Sequence, residues 1–430
     1  MTRSYTLTRR QAIAVLAGFS GSTVAACRER AGTPQGARRA PITLEVWSRL
    51  RWVKDLAERY TAGPGAAQQV TLAPTTLGSP LEFQEKLIAA VAGNTAPDFT
   101  TIELNISPLF NVQGVYADLS REYKGLARKE QFPPAMVRYG GHAGKVYQVP
   151  FWVDTSGLFW NKRHFAAAGL DPEKPPQTWE QLIRLAQQVS RPGEVDGVAI
   201  PYNGSPTWQF MPWVYANGGR LLSDDGTQVL VNSPEALGAF ELWADLAQKY
   251  RVTPEGFRTR TAFNATDLFT TGRLSMYHTG AGLLNTLKRT APDLPVGTAV
   301  LPVGPLGKRT GCAPGGDTMG ILPQTKDRAA CWALLEWLLS DEVQVEHIVA
   351  QGYGLPVLAG QFDNRYFKED PRFLPFREAA QAATPTWTTK FEQLKAVMLP
   401  EYMAAITGQK EPRVALRDMA EAVARELAKP

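Results

Sequence analysis

Residues 144–162 read Gly-Lys-Val-Tyr-Gln-Val-Pro-Phe-Trp-Val-Asp-Thr-Ser-Gly-Leu-Phe-Trp-Asn-Lys. Within this run, residues 157–160 are apolar and aromatic, which predicts a short strand. Strand-like runs recur on both sides of it, at 42–47, 98–102, 198–200, 274–277 and 296–300. Helical patterns lie between them. Trp52, Val53, Leu56, Ala57 and Tyr60 recur at helical spacing. Ser79-Pro80-Leu81-Glu82 is a capping box with Pro at the first helical position. The helix it opens is expected to turn Leu87, Ile88 and Val91 inward and to stop at Gly93. Ser107-Pro108 and Ser233-Pro234 repeat the start signal, and Thr178-Trp179-Glu180-Gln181 is another capping box. Gly114, Gly169 and Gly352 stand where helices end. Alternating strands and helices predict α/β layers, followed after about Pro371 by an almost wholly helical segment.

The chain has 430 residues, enough for two or three domains with substantial cores. Its 44% hydrophobic and 20% charged fractions fit a folded protein rather than a disordered one. No run of about 20 apolar residues is present, which excludes a helical membrane channel or transporter. Three Cys exclude a disulfide scaffold, and four scattered His leave little for a His-based metal site. The 11 Trp and 13 Tyr supply many flat aromatic surfaces, beside 37 Gly and 32 Pro.

The first residues read as an export signal. Arg3, Arg9 and Arg10 precede a small-residue apolar run that reaches Ala26, with no acid among them. Thr8-Arg9-Arg10 has a partial twin-arginine pattern. Val24-Ala25-Ala26-Cys27 resembles the lipobox of bacterial lipoproteins, which makes 1–26 a signal peptide and Cys27 the acylated first residue. A plain cleaved signal with an incidental Cys is the alternative. Residues 27–41 then form a lipidated, Arg/Gly/Ala/Pro-rich tether. Cleavage removes three Arg, leaving 43 basic residues against 41 acidic, a balance of +2 that gives no reason to expect nucleic acid.

Enzyme motifs are missing. Residues 140–145 (Gly-Gly-His-Ala-Gly-Lys) lack the spacing of a phosphate loop, and Val146 stands where Ser or Thr is needed. There is no Gly-x-Ser-x-Gly elbow, His-Glu-x-x-His or dinucleotide fingerprint. Asp224-Asp225-Gly226 reads as a turn rather than a carboxylate pair for glycoside hydrolysis. Cys312 and Cys331 are either two small buried residues or a disulfide.

Several segments, in order, resemble one family. Residues 86–98 (Lys-Leu-Ile-Ala-Ala-Val-Ala-Gly-Asn-Thr-Ala-Pro-Asp) are similar to its helix, Gly break and strand entry. The 144–162 run follows, then Ala168-Gly-Leu-Asp-Pro172, Pro176-Gln-Thr-Trp-Glu180, Ala216-Asn-Gly-Gly219, Phe269-Thr-Thr-Gly-Arg-Leu-Ser-Met276 and Gly315-Gly-Asp317. The family is that of the extracellular solute-binding proteins of bacterial ABC importers, in its carbohydrate-binding, maltose-binding-protein-like group. The likeness spans roughly 42–428. It implies an α/β, two-lobed, periplasmic-binding-protein-like fold of type II, with three interlobe crossings and a helical C-terminal segment. Lobe 1 is expected from 42–150 and 305–354, and lobe 2 from 151–304 and 355–430, with crossings near 150–155, 300–304 and 355–357. A carbohydrate is then held in the cleft between the lobes and delivered to the permease subunits in the membrane. The expectation is a non-enzymatic monomer without cofactor or metal, exported and held to the membrane only through the lipid on Cys27.

A sugar offers apolar faces to aromatic rings and hydroxyls to carboxylates, amides and backbone groups. The candidate contacts are Trp47 and Ser48 after the first strand, Glu103 past the second, Trp152 and Asp154 on the first crossing, and Trp208 and Trp213. Tyr277 and Gly280 at a strand end, Gly316 and Asp317, and Tyr353 before the third crossing complete the set. Trp208 matches the position of a stacking aromatic in maltose-binding protein. Gly282 stands where that protein has a second ring, a departure at which the resemblance does not imply a maltose-like second platform. For Trp47 the alternative is core packing, and for Glu103 simple solvation. Trp179, Trp243, Trp332 and Trp337 lie in apolar helical patterns and are assigned to core. Arg49 and Arg51 keep a glycerol-phosphate or phosphodiester ligand open. A secreted glycoside-active lipoprotein is the reading from another class.

Overall fold

A computed structural model describes residues 40–430 except 52, 200–205, 257–263, 353 and 430. The expected signal peptide and Cys27 lie outside the described residues, as do Trp52 and Tyr353.

The structure is two-lobed, each lobe built on one sheet. The first sheet has six strands in the order Leu355–Pro356, Gln148–Asp154, Gly315–Ile321, Phe99–Glu103, Ile42–Ser48 and Val70–Thr76. The last three run parallel to one another, while Gly315–Ile321 and Gln148–Asp154 are antiparallel to their neighbours. Along Ile42–Ser48, alternate residues Leu44, Val46 and Ser48 are buried, the period of a strand with one covered face. The helix Val53–Ala62 buries Val53, Leu56, Ala57 and Tyr60, the stripe its spacing predicts.

The helix Pro80–Ala92 begins and ends where expected, with Ser79 Oγ accepting from the Glu82 N–H at 3.1 Å and Gly93 as C-cap. Glu82 reaches one residue further back than a capping box requires and accepts from the Gly78 N–H at 3.0 Å. Its inward stripe is Phe83, Leu87 and Ala90, while Ile88 is 39% exposed. The largest apolar side chain, Phe83, sets the rotation. Thr178 and Ser233 also cap their helices. Ser107 does not. It is the first residue of Ser107–Val112, and its hydroxyl pairs instead with Thr318 Oγ1 at 2.7 Å.

The second sheet has four strands in the order Val296–Ala299, Ser156–Asn161, Leu274–Gly280 and Asp196–Ala199. Its lobe packs Trp160, Trp179, Trp213 and Trp243 into one core with Phe210 and Phe240. The helices Phe391–Ile406 and Pro412–Ala428 join that core through Leu394, Met398, Leu416 and Met419. Trp332 and Trp337 pack against the other core from Arg328–Leu338.

The connections fall later in the chain than the sequence reading places them. Residues 150–154 form a strand paired with Gly315–Ile321, so only Thr155 separates the two sheets on that path. The expected 150/151 boundary therefore falls inside a strand. On the second path, Val303 pairs with Thr178 and the Gly304 N–H donates to the Ala216 carbonyl, so 300–304 still lies on the second lobe. Leu355–Pro356 is likewise still in the six-stranded sheet, opposite Val153 and Trp152. Cys312 and Cys331 are both buried and free.

Candidate functional site

Three strand ends of the first lobe converge. In register, Asp317 lies opposite Glu103 on one side and Trp152 on the other, and Gly315 lies opposite Asp154. Ser48 closes the neighbouring strand. Its hydroxyl pairs with Thr101 Oγ1 at 2.6 Å and accepts from the Leu50 N–H at 3.1 Å, a tight turn that aims Arg49 at these ends. Gly316 makes the join possible. Its φ is +117°, and a β-carbon there would meet the Trp152 carbonyl.

The result is a cavity of about 280 Å³ lined by Arg49, Glu103, Asn105, Trp152, Asp154, Trp208, Gly315, Gly316, Phe391 and Lys395. The second lobe and the C-terminal segment supply Trp208, from the short helix Pro206–Gln209, and Phe391 with Lys395, one turn apart on Phe391–Ile406. Trp208 and Asp154 are neighbours. A β-carbon on Gly280 would lie 3.1 Å from Asp154 Oδ1 and 3.3 Å from the Trp208 ring. The Trp208 indole nitrogen is buried and, among the described residues, has no acceptor.

Charge dominates the floor. Arg49 Nη2 donates to Asp317 Oδ1 at 2.7 Å, and its Nε lies 4.0 Å from Glu103. Lys395 pairs with Glu392 at 2.6 Å. Asp154 forms no ion pair with any described Lys, Arg or His. Burial raises the carboxyls of Glu103 and Asp317, with Arg49 opposing. Burial pushes Asp154 up to about 7, with Arg49 acting only at a distance. For Arg49, burial works against the charge, but Asp317 and Glu103 outweigh it and raise the guanidinium.

Glu103, Trp152, Asp154, Trp208 and Gly316 thus line the cavity, Gly280 adjoins it, and Asp317 lies behind Arg49. Trp213 is a correction. It is fully buried in the second core, its indole N–H donating to His278 Nδ1 at 3.1 Å. Tyr277 is also core, tilted against Phe269 at 6.0 Å, with its hydroxyl on Thr266. Trp47 packs beside the Leu77–Phe83–Leu87 cluster, the alternative reading for it. Ser48 is buried and serves the Arg49 turn, and Tyr353 lies outside the described residues. Gly282 opens the helix Gly282–Thr290.

Sequence reasoning missed Asn105, Phe391 and Lys395, and kept Arg49 only for the phosphate alternative. Phe391 and Lys395 look like any amphipathic helix in sequence. Only the return of the C-terminal helix to the cleft reveals them. A larger concavity of about 700 Å³ lies elsewhere, but its cations are consumed in pairs, Lys162 with Glu173, and Lys288 and Arg372 with Asp370.

Two lobes with a polar and aromatic cavity between them are the architecture of a ligand-capturing protein. Residues 55–375 match the sequence profile of the bacterial extracellular solute-binding proteins, and the chain belongs to that family. It is 25% identical over 349 residues to a putative binding protein of Brucella abortus, covering 78% of this chain and 81% of that one. It is 24% identical over 421 residues to the sn-glycerol-3-phosphate-binding periplasmic protein UgpB of Escherichia coli K12, covering 89% and 91%. Among solved structures, the cyclic alpha-maltosyl-1,6-maltose binding protein of Arthrobacter globiformis superposes with TM-score 0.76 at 25% identity, covering 90% of this chain and 99% of that one. The sugar-binding protein MalE of Xanthomonas citri superposes with TM-score 0.79 at 21% identity, covering 90% and 98%.

Proposed function

We propose that this protein is the solute-capturing component of an ABC importer and that its ligand is a carbohydrate. The observation that carries this is the meeting of Trp208 from one lobe with Asp154, Glu103 and Trp152 from the other in one cavity. Indole faces suit sugar C–H surfaces, and carboxylates accept from hydroxyls. The Trp208 N–H, which has no acceptor among the described residues, supplies a donor for a ligand oxygen. At about 280 Å³ the cavity is near the lower end of the roughly 300–1,000 Å³ usual for ligand sites, which favours one or two sugar rings. Ligand contacts from both lobes favour closure only as far as they are better made in the closed state. The closed form is what the permease subunits recognise.

Likeness to UgpB favours a second reading, glycerol phosphate. The floor of the cleft speaks against it. Arg49 is already held by Asp317, Lys395 by Glu392, and a phosphate would lie against Asp154 and Glu103. Binding without catalysis, export, a monomeric state and a membrane anchor through Cys27 complete the proposal. The lipobox-like Val24–Cys27 supports the anchor, and the extracellular family supports export.

The test is a thermal-shift and calorimetric screen of the chain from residue 40 onward against mono- and disaccharides and glycerol 3-phosphate. A sugar with a Kd near ~1 μM binds with about −8 kcal/mol. At a hundredfold excess over Kd it stabilises the protein by about 2.7 kcal/mol, a clear rise in Tm. Tight glycerol 3-phosphate binding with no sugar hit overturns the carbohydrate reading. Product formed from a bound sugar overturns binding without catalysis.

A further inference from the structure

We infer that the carbohydrate this cleft selects carries a basic amine, seated against the carboxylate of Asp154. The inference rests on the carbohydrate reading and narrows it to amino sugars.

Among the described residues, the charges at the cavity do not cancel. Glu103 and Asp154 line it, Asp317 and Glu392 stand behind its two lining cations, and those cations are Arg49 and Lys395. Each cation has one close partner. Arg49 is 2.7 Å from Asp317, which is fully buried beneath it, and Lys395 is 2.6 Å from Glu392. Glu103 is left with a 4.0 Å approach to Arg49, and Asp154 with no ion pair among the described residues. Fully ionised, these described residues hold two surplus negative charges around a small space.

A neutral sugar does not remove that surplus. Its hydroxyls donate hydrogen bonds to carboxylates but supply no counter-charge for Asp154. The raised carboxyls of Asp154 and Glu103 are the mark of this cost in the protein itself. A protonated amine supplies the missing cation and turns a hydroxyl contact into a charge-assisted one. The surroundings of Asp154 fit such a group. The Trp208 ring lies beside it, with Gly280 and Gly315 on either side, so no side chain from those positions blocks the approach. Aromatic rings also attract cations. The groups facing Asp154 are Arg49 from the first lobe, too far for a pair, and the buried Cys312 thiol, which is itself pushed up by burial. Neither competes with a ligand amine.

Matched pairs test this by titration calorimetry: D-glucose against D-glucosamine and 6-amino-6-deoxy-D-glucose, D-galactose against D-galactosamine, and cellobiose against the chitosan dimer. At about pH 7.5 at least one amine member should bind about tenfold or more tightly than its neutral partner, the gain expected of a charged hydrogen bond. The margin should shrink at about pH 5.5, where Asp154 takes up a proton. Asp154→Asn should erase the margin while the neutral partner loses less. Glu103→Gln should reduce it, and serves alone if the first variant melts early. Neutral sugars that bind as tightly as their amines at both pH values overturn the inference and leave carbohydrate capture standing. No binding by any sugar overturns both.

Discussion

The short helix Pro206–Gln209 and the next one, Met211–Ala216, carry Trp208 and Trp213 five residues apart, and their surroundings are opposite. Trp213 is fully buried, edge-on to Trp243 at 5.1 Å and to His278 at 5.5 Å, with its N–H taken by that histidine. Trp208 is half-buried at the interlobe cavity, and its N–H has no acceptor among the described residues. The residue type is the same. What differs is whether the indole's polar edge is answered within the protein. An answered edge marks a structural ring, and an unanswered one beside a carboxylate marks a ring available to a ligand.

Four experiments press on that distinction. The largest effect should come from Trp213→Ala, which empties the second core. Loss of a buried Trp typically costs about 3–5 kcal/mol, read as a shift in the denaturant midpoint. A change below about 1 kcal/mol would mean that Trp213 is not structural. Trp208→Ala should spare folding and weaken sugar binding by about 1.5–3 kcal/mol, the worth of one buried aromatic face. Unchanged affinity with a lowered Tm would reverse the two assignments.

The pH response separates the regions next. Burial depresses His278, beside Trp213, to about 3, so the unfolded chain binds its proton first. That contribution to stability is intact above about 6.5 and fades as pH falls toward 3. Asp154, beside Trp208, runs the other way. Its folded value is raised to about 7 from 3.8, so its contribution is present below about 4 and lost as pH rises through 7. Asp154→Asn should therefore raise the Tm of the ligand-free protein at about pH 8 and leave it nearly unchanged at about pH 4. A lowered Tm at the higher pH would show that Asp154 is held by a cation after all. Ser79→Ala, far from both tryptophans, should cost about 1 kcal/mol of stability through its lost helix cap and leave sugar affinity untouched. It calibrates a purely structural loss.

Much of the fold is legible because it rests on local signals. Ser79, Thr178 and Ser233 cap helices with their own side chains, and the strands around 42–47 and 274–277 begin where their β-branched and apolar runs begin. Residues 150–154 are not legible in the same way. A Pro-Phe-Trp-Val-Asp run suits a connection or a strand, and pairing with Gly315–Ile321, more than 150 residues away, decides between them. The site divides similarly. Asp154, Glu103 and Trp208 sit at the ends of recognisable segments. Arg49's partner, Asp317, and the pair Phe391 and Lys395 depend on contacts between distant stretches. Trp213 failed as a site candidate because five residues and a break between two short helices separate a cavity wall from a core, a difference that local composition does not encode.

Thr155 alone divides the strand Gln148–Asp154 from Ser156–Asn161, and its hydroxyl is tied to the Phe376 carbonyl at 3.0 Å. Asp154 is therefore the chain neighbour of the residue that joins the two sheets on that path. A solute held at Asp154 is anchored one peptide bond from the seam between the sheets, while the Trp208 ring reaches the same cavity from the other side of that seam.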